Sequence, residues 1–216
     1  MVGITRTKER ARLNYNRLSG WYDLLAGSER RYTDAGLDLL RVMPGETVLE
    51  VGFGTGRALA VLARSAGGAG RVYGIDLSDG MIRVTRARLK AGGWSGQVDL
   101  LGGDAARLPF SASQFHAIFM SFTLELFDTP EIPLVLQECA RVLRQGGRLG
   151  VVALSRKGEL GPMVMLYEWA HRTWPNYIDC RPIVVHDELQ SAGFHILESL
   201  RMSMWGLPVD IVVAKP

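Results

Sequence analysis

The segment LEVGFGTGRAL, residues 49–59, places Glu50 before glycines at 52, 54 and 56 and Arg57 directly after them. A glycine-rich turn lets backbone approach a ligand closely, and the N-terminus of a following helix carries partial positive charge that favours an anionic group. Spacing separates the candidate ligands. A dinucleotide fingerprint G-x-G-x-x-G/A starting at Gly52 and Gly54 needs a small residue at position 57, and the arginine there obstructs the close packing that a third glycine permits. Two further acids end strand-like runs downstream: Asp76 ends RVYGID and Asp104 ends QVDLLGGD. Each alone reads as an ordinary strand-end or capping carboxylate. Three of them at three consecutive strand ends, one preceding a triple-glycine turn, are hard to reconcile with capping.

The elements that must hold these residues alternate from about residue 45. Short apolar runs at 47–51, 71–76, 97–104, 115–121 and 149–154 read as strands separated by helix-like stretches, the pattern of a parallel sheet covered on both faces. Leu59, Leu62 and Ala66 fall at helical spacing after the glycines, and Ser78 is an N-cap for a helix running to about Lys90. A helix from Pro130 buries Ile132, Leu136, Cys139 and Leu143, and Gly146 and Gly147 are expected to terminate it. The runs at 194–200 and 209–214 leave no room for a crossover helix and must pair antiparallel. One domain over residues 1–216 is expected, with a helical cap at 1–40, a cofactor-binding core at 41–154, an acceptor-side insertion at 155–185 and a helix plus antiparallel hairpin at 186–216. In an open parallel sheet, ligands sit outside the carboxyl ends of the strands where strand order reverses, which makes the first loop the place for a cofactor.

E-x-G-x-G-x-G, from Glu50 to Gly56, resembles motif I of the class I S-adenosylmethionine-dependent methyltransferases. The resemblance implies an α/β, Rossmann-like, mostly parallel seven-stranded sheet of order 3-2-1-4-5-7-6, with strand 7 antiparallel. It also implies that S-adenosylmethionine is the cofactor. Gly52, Phe53, Gly54 and Gly56 would wrap its methionine end, Glu50 would help hold its amino group, and Asp76 would take the two ribose hydroxyls. Asp104 and the Ala105 N–H would read the adenine, Leu77 and Met81 would sandwich it, and Ser121 and Tyr22 complete the expected cofactor set. RVLRQGGRLGVV is similar to the family's helix-turn-strand signature, although His116 and Gln145 depart from the pattern where an aspartate and a proline are common. His116 lies one residue into a buried strand and reads as a structural histidine.

WYDLL (21–25) and SFTLELFDTPE (121–131) are similar to the ubiquinone and menaquinone biosynthesis C-methyltransferases and their phospholipid N-methyltransferase relatives. That resemblance implies a hydrophobic small-molecule or lipid acceptor, either a quinone precursor or a phospholipid amine. A base is needed only where the acceptor must lose a proton, as a phenolic ring does near neutrality and a neutral amine does not. Glu125 and His171 are the candidate bases; the competing readings are a solvated loop acid and a surface or packing histidine. Tyr15 and Tyr22 either close a lid over the cofactor or pack the leading helices. The insertion, with Met163, Met165, Tyr167, Trp169, Trp174 and Tyr177, is where acceptor choice is expected.

Composition bounds the rest. The chain has 216 residues, 47% of them hydrophobic, enough for one substantial core. A net charge of +3, without a basic block interleaved with aromatics, argues against nucleic acid as partner. Cys139 and Cys180 have no ligand pattern beside them, which fits reduced cytosolic thiols and no metal site. No run of about 18 uncharged apolar residues or apolar leader is present, so a soluble, cytoplasmic protein is expected. The leading segment carries Arg6, Lys8, Arg10, Arg12 and Arg17 against Glu9, which suits peripheral contact with an anionic membrane or simply a solvated charged helix. Two other functions remain open on residues alone: an NAD-dependent oxidoreductase, and a non-catalytic module that binds S-adenosylmethionine.

Overall fold

The computed structural model describes residues 28–156 and 182–216. Seven strands form one sheet in the order β3-β2-β1-β4-β5-β7-β6. The strands are β1 (Thr47–Val51), β2 (Arg71–Asp76), β3 (Val98–Gly102), β4 (Phe115–Ser121), β5 (Leu143–Leu154), β6 (His195–Met204) and β7 (Leu207–Lys215). Neighbours from β3 through β5 run parallel, and β7 runs antiparallel to both β5 and β6, as the terminal hairpin pattern predicts. Among the described residues the helices are α1 (Arg30–Leu40), α2 (Arg57–Ala66), α3 (Asp79–Ala91), α4 (Ile132–Val142) and α5 (Val185–Ser191), with a 3-10 turn at Leu124–Leu126.

Side-chain alternation divides the sheet's apolar residues between two cores. Val48, Val72, Phe119 and Val152 meet Leu37 and Leu40 of α1 and Leu59 and Leu62 of α2. On the opposite face Leu49, Val51, Ile118, Met120 and Val151 meet Leu136 and Cys139 of α4 and Leu189 of α5. Strand order reverses between β1 and β4, so α2 and the 3-10 turn leave in different directions and a crevice opens at the strands' carboxyl ends. Glu50 shares the Val48 face of β1 and is carried to that crevice.

α1 roofs the crevice, and its seat is made by glycine. A Cβ at Gly36 would lie 2.4 Å from Val152 Cγ2 and 3.1 Å from the Phe119 ring. The absent side chain brings the helix onto β4 and β5. Tyr32, fully buried, fixes the other edge of α1 by donating from its hydroxyl to Ser203 O at 2.6 Å.

Several boundaries differ from the sequence reading. α4 ends at Val142, before the glycines, because Ser113 N–H and Gln114 N–H donate to the carbonyls of Arg141 and Val142 and cap it with backbone. β5 therefore starts at Leu143, and Gly146, at φ 74°, belongs to an irregularity between the Phe115↔Leu143 and Ala117↔Arg148 pairings. β3 stops at Gly102, which puts Asp104 in the turn beyond the strand rather than at its end. The last hairpin is longer than 194–200 and 209–214, because Trp205 and Gly206 both take positive φ (52° and 84°) as a tight two-residue turn requires.

Replacing Gly36 by leucine should overpack the α1 seat and lower unfolding free energy by about 3 kcal/mol, well beyond the roughly 1 kcal/mol that helix propensity returns. Urea denaturation of the two proteins checks this, and equal midpoints would contradict the close seat.

Candidate functional site

A cavity of about 420 Å³ opens at the carboxyl ends of β1, β2 and β4. Its lining includes ten of the sequence-predicted cofactor residues: Glu50, Gly52, Phe53, Gly54, Asp76, Leu77, Met81, Asp104, Ala105 and Ser121. Gly56 stands behind the wall as N-cap of α2 at φ 76°. Tyr22 and His171 lie outside the described residues, as do Tyr15 and the aromatic-rich part of the insertion.

The glycine turn follows a path that excludes side chains. A Cβ at Gly52 would sit 2.3 Å from Thr123 Cγ2, and one at Gly56 would sit 2.4 Å from Thr85 Cγ2; both glycines have positive φ. The same threonines hold the backbone they crowd. Thr85 Oγ1 donates to Gly54 O at 2.8 Å and Thr123 Oγ1 to Gly52 O at 3.3 Å. Arg88 extends the clamp by donating to Thr55 O at 2.6 Å. The Phe53 ring packs over Gly74, where a Cβ would approach it to 2.7 Å. Thr85, Arg88, Thr123 and Gly74 escaped sequence reasoning, since nothing in their local spacing points to the loop they support.

Asp76 ties two chain segments together at the end of β2. Its Oδ2 accepts from Gly54 N–H at 3.0 Å and its Oδ1 from Ser78 N–H at 2.9 Å. Each oxygen keeps acceptor capacity for a ligand hydroxyl. Burial raises its pKa to about 6 against the lowering effect of these N–H groups. Asp104 Oδ1 accepts from Ala106 N–H at 3.0 Å, which shapes the turn after β3. Ser78 caps α3 by accepting from Met81 N–H at 3.2 Å, and this sets Met81 beneath the cavity floor at 1% exposure.

Glu50 is the least satisfied group. It is 3% exposed, its Oε2 has no hydrogen-bond partner among the described residues, and burial and then Asp76 raise its pKa well above the carboxylate range. An orphaned buried oxygen costs roughly 1–3 kcal/mol, which a ligand's N–H donor would recover. Seven carboxyl groups and three guanidinium groups line the cavity. That balance suits a cationic ligand and opposes a pyrophosphate. The residues present therefore fit S-adenosylmethionine, whose ammonium and sulfonium groups are positive.

Glu125 is not the solvated loop acid that one sequence reading offered. It is 2% exposed in the 3-10 turn and lies outside the cavity lining; its Oε1 accepts from Leu154 N–H at 3.1 Å and its Oε2 has no partner among the described residues. Burial, with a contribution from Glu29, raises its pKa to about 8. Glu29 itself, before α1 and on the cavity wall, is raised to about 7 by burial. Sequence reasoning missed Glu29. His116 is structural as expected: its Nδ1 accepts from Thr47 N–H at 3.1 Å, and burial lowers its pKa.

These shifts give stability a defined pH dependence. A carboxyl whose folded pKa exceeds its unfolded value binds more protons when folded, so its contribution is lost as pH rises through the folded pKa. Between pH 6.5 and 8 Glu125 and the equally buried Glu50 should both contribute, with Glu29 adding less because it is partly exposed. The thermal midpoint of the ligand-free protein should fall across that window, and Glu125→Gln, which imitates the protonated acid, should flatten the fall. Parallel melting curves in the two proteins check it; equal slopes would remove Glu125 as a source.

Comparison with known proteins adds independent support. Residues 48–147 match a family model described as a methyltransferase domain. Nocamycin O-methyltransferase from Saccharothrix syringae is 37% identical over 158 residues, covering 72% of this chain and 53% of the relative. The ubiquinone/menaquinone biosynthesis C-methyltransferase UbiE of Teredinibacter turnerae is 33% identical over 160 residues, covering 72% and 64%. The chain thus spans between half and two thirds of the length of these relatives. The Burkholderia thailandensis 1,6-didemethyltoxoflavin-N1-methyltransferase structure superposes with a TM-score of 0.72 at 18% identity, over 99% of this chain and 92% of that one, which shows the shared fold. With the sheet order, the glycine turn and the strand-end acids in agreement with these matches, the chain belongs to the class I S-adenosylmethionine-dependent methyltransferases.

Proposed function

We propose that the protein transfers a methyl group from S-adenosylmethionine to a hydrophobic, hydroxylated ring of the quinol type. The partnerless oxygen of Glu50, buried at the head of a cavity rich in carboxyl groups, carries the cofactor half of this reading. The relatives named for C-methylation in quinone biosynthesis and for O-methylation support the acceptor half. Both reactions take a proton from the acceptor, at a ring carbon or at a hydroxyl. Quinone oxidation states matter here, since an oxidised quinone is an electrophile and only the reduced, electron-rich ring attacks a methyl carbon.

S-adenosylmethionine, when bound, supplies an electrophilic methyl group on a sulfonium. The chain's part is to hold the reactants in line, which is worth roughly 7–11 kcal/mol of the barrier. Glu50 takes the ammonium, the Gly52–Gly56 turn takes the methionine backbone atoms, Asp76 takes the ribose hydroxyls, and Asp104 with Ala105 takes the adenine edge over Met81. The acceptor enters from the side of α1 and the 3-10 turn, where Thr33 Oγ1 and Ser121 Oγ lie 2.8 Å apart on the wall. A phospholipid amine is the second acceptor reading, carried by the resemblance of residues 21–25 and 121–131.

Asp76→Ala should weaken S-adenosylmethionine binding about thirtyfold, the loss of roughly 2 kcal/mol of charged hydrogen bonding. Calorimetry measures it, and unchanged affinity would remove the ribose assignment. Incubating the protein with methyl-labelled S-adenosylmethionine and either a short-chain demethylmenaquinone kept reduced or phosphatidylethanolamine vesicles should place label in the quinone fraction. Label confined to the lipid would favour the amine, and label in neither, with cofactor bound, would favour a non-catalytic binding module.

A further inference from the structure

We infer that Glu29, rather than the buried Glu125, is the base that receives the acceptor's proton. The inference rests on the quinol-type acceptor proposed above.

Glu29 stands at the N-cap of α1, on the wall of the acceptor end of the cavity. One helical turn on, Thr33 joins the Ser121 hydroxyl at the end of β4, so the first turn of α1 is tied to the strand adjoining the glycine turn. Tyr32 packs edge-on against Phe122 with ring centroids 6.3 Å apart, and Gly36 seats the following turn against Phe119 and Val152. This anchoring makes Glu29 part of a fixed wall. Its carboxyl has no partner among the described residues.

Glu125 lies outside the cavity lining: its Oε1 accepts from Leu154 N–H, its Oε2 is buried without a partner among the described residues, and the Glu29 charge adds to the upward displacement of its pKa. Other charged groups lining the cavity are Arg30 and Asp34 on α1, Glu50, Asp76 and Asp104 near the strand ends, Arg57 and Arg88 on α2 and α3, and Asp128 and Glu131 after the 3-10 turn. The acceptor's O–H or ring C–H proton goes to the Glu29 carboxylate, its electron pair forms the bond to the methyl carbon, and the carbon–sulfur bond breaks with its pair left on sulfur. A carboxylic acid, a methylated ring and a thioether result. Glu125 has the buried position and Glu29 has the access.

Steady-state turnover of reduced short-chain demethylmenaquinone with S-adenosylmethionine, measured from pH 5.5 to 9, tests this. Wild-type kcat should rise through a limb near pH 7 as Glu29 ionises. Glu29→Gln should lower kcat on the order of a hundredfold and abolish that limb, with S-adenosylhomocysteine affinity and thermal midpoint near wild type; Glu29→Asp should keep the limb at intermediate kcat. Turnover by Glu29→Gln with kcat and pH profile unchanged would overturn the assignment of Glu29 and leave the acceptor class standing. Wild-type protein that binds the cofactor and never methylates the quinol would overturn the acceptor reading, and this inference with it.

Discussion

The turn from β1 to α2 has to pass between two threonines with no space for a side chain at Gly52 or Gly56. Both glycines need positive φ to make that passage, and the crowding threonines donate hydrogen bonds to the carbonyls of Gly52 and Gly54. The carbonyls are thereby turned into protein, and Asp76 takes the Gly54 N–H. Thr85 comes from α3 and Thr123 from the segment after β4, so the loop is built by elements on either side of the point where strand order reverses. Close approach of backbone to ligand is a property of this three-way packing rather than of the glycines alone.

Burial around that loop sets the electrostatics. Glu50 and Asp76 are both displaced upward by desolvation, and each gains from a ligand that brings donors or positive charge. The protein holds an arrangement that is uncomfortable without a cation: carboxyl groups at the strand ends, one of them with an oxygen that nothing among the described residues satisfies. A cationic ligand relieves the repulsion and the orphaned acceptor together, whereas a pyrophosphate would add to the negative charge. The dipole at the α2 N-terminus still favours an anion locally, which matches a carboxylate only a few bonds from an ammonium in the methionine end of the cofactor.

Much of this was legible in the sequence because it depends on local patterns. Alternating apolar runs mark the strands, the lack of a crossover segment marks the antiparallel end, and Arg57 alone argues against a dinucleotide. Features that depend on distant segments were not legible. The stop of α4 at Val142 is made by N–H groups of residues 113 and 114, so the visible glycines at 146 and 147 pointed to the wrong place. The wrong solvation of Glu125 had a similar cause. Its neighbours in sequence read as a polar turn after a strand, while Leu154, 29 residues away in sequence, supplies the N–H and helps enclose it.

Glu29 was invisible for a further reason: an acid before a helix is an ordinary N-terminal preference, and its meaning comes only from where α1 is seated. That seat is set by Gly36 against Phe119 and Val152, by Tyr32 against Ser203, and by Thr33 against Ser121. Each partner is more than 80 residues away in sequence. The glycine-turn end of the cavity is therefore assembled from consecutive βα units, whose strand-end acids announce themselves one after another. The α1 side of the cavity is assembled by docking a leading helix onto strands that follow much later.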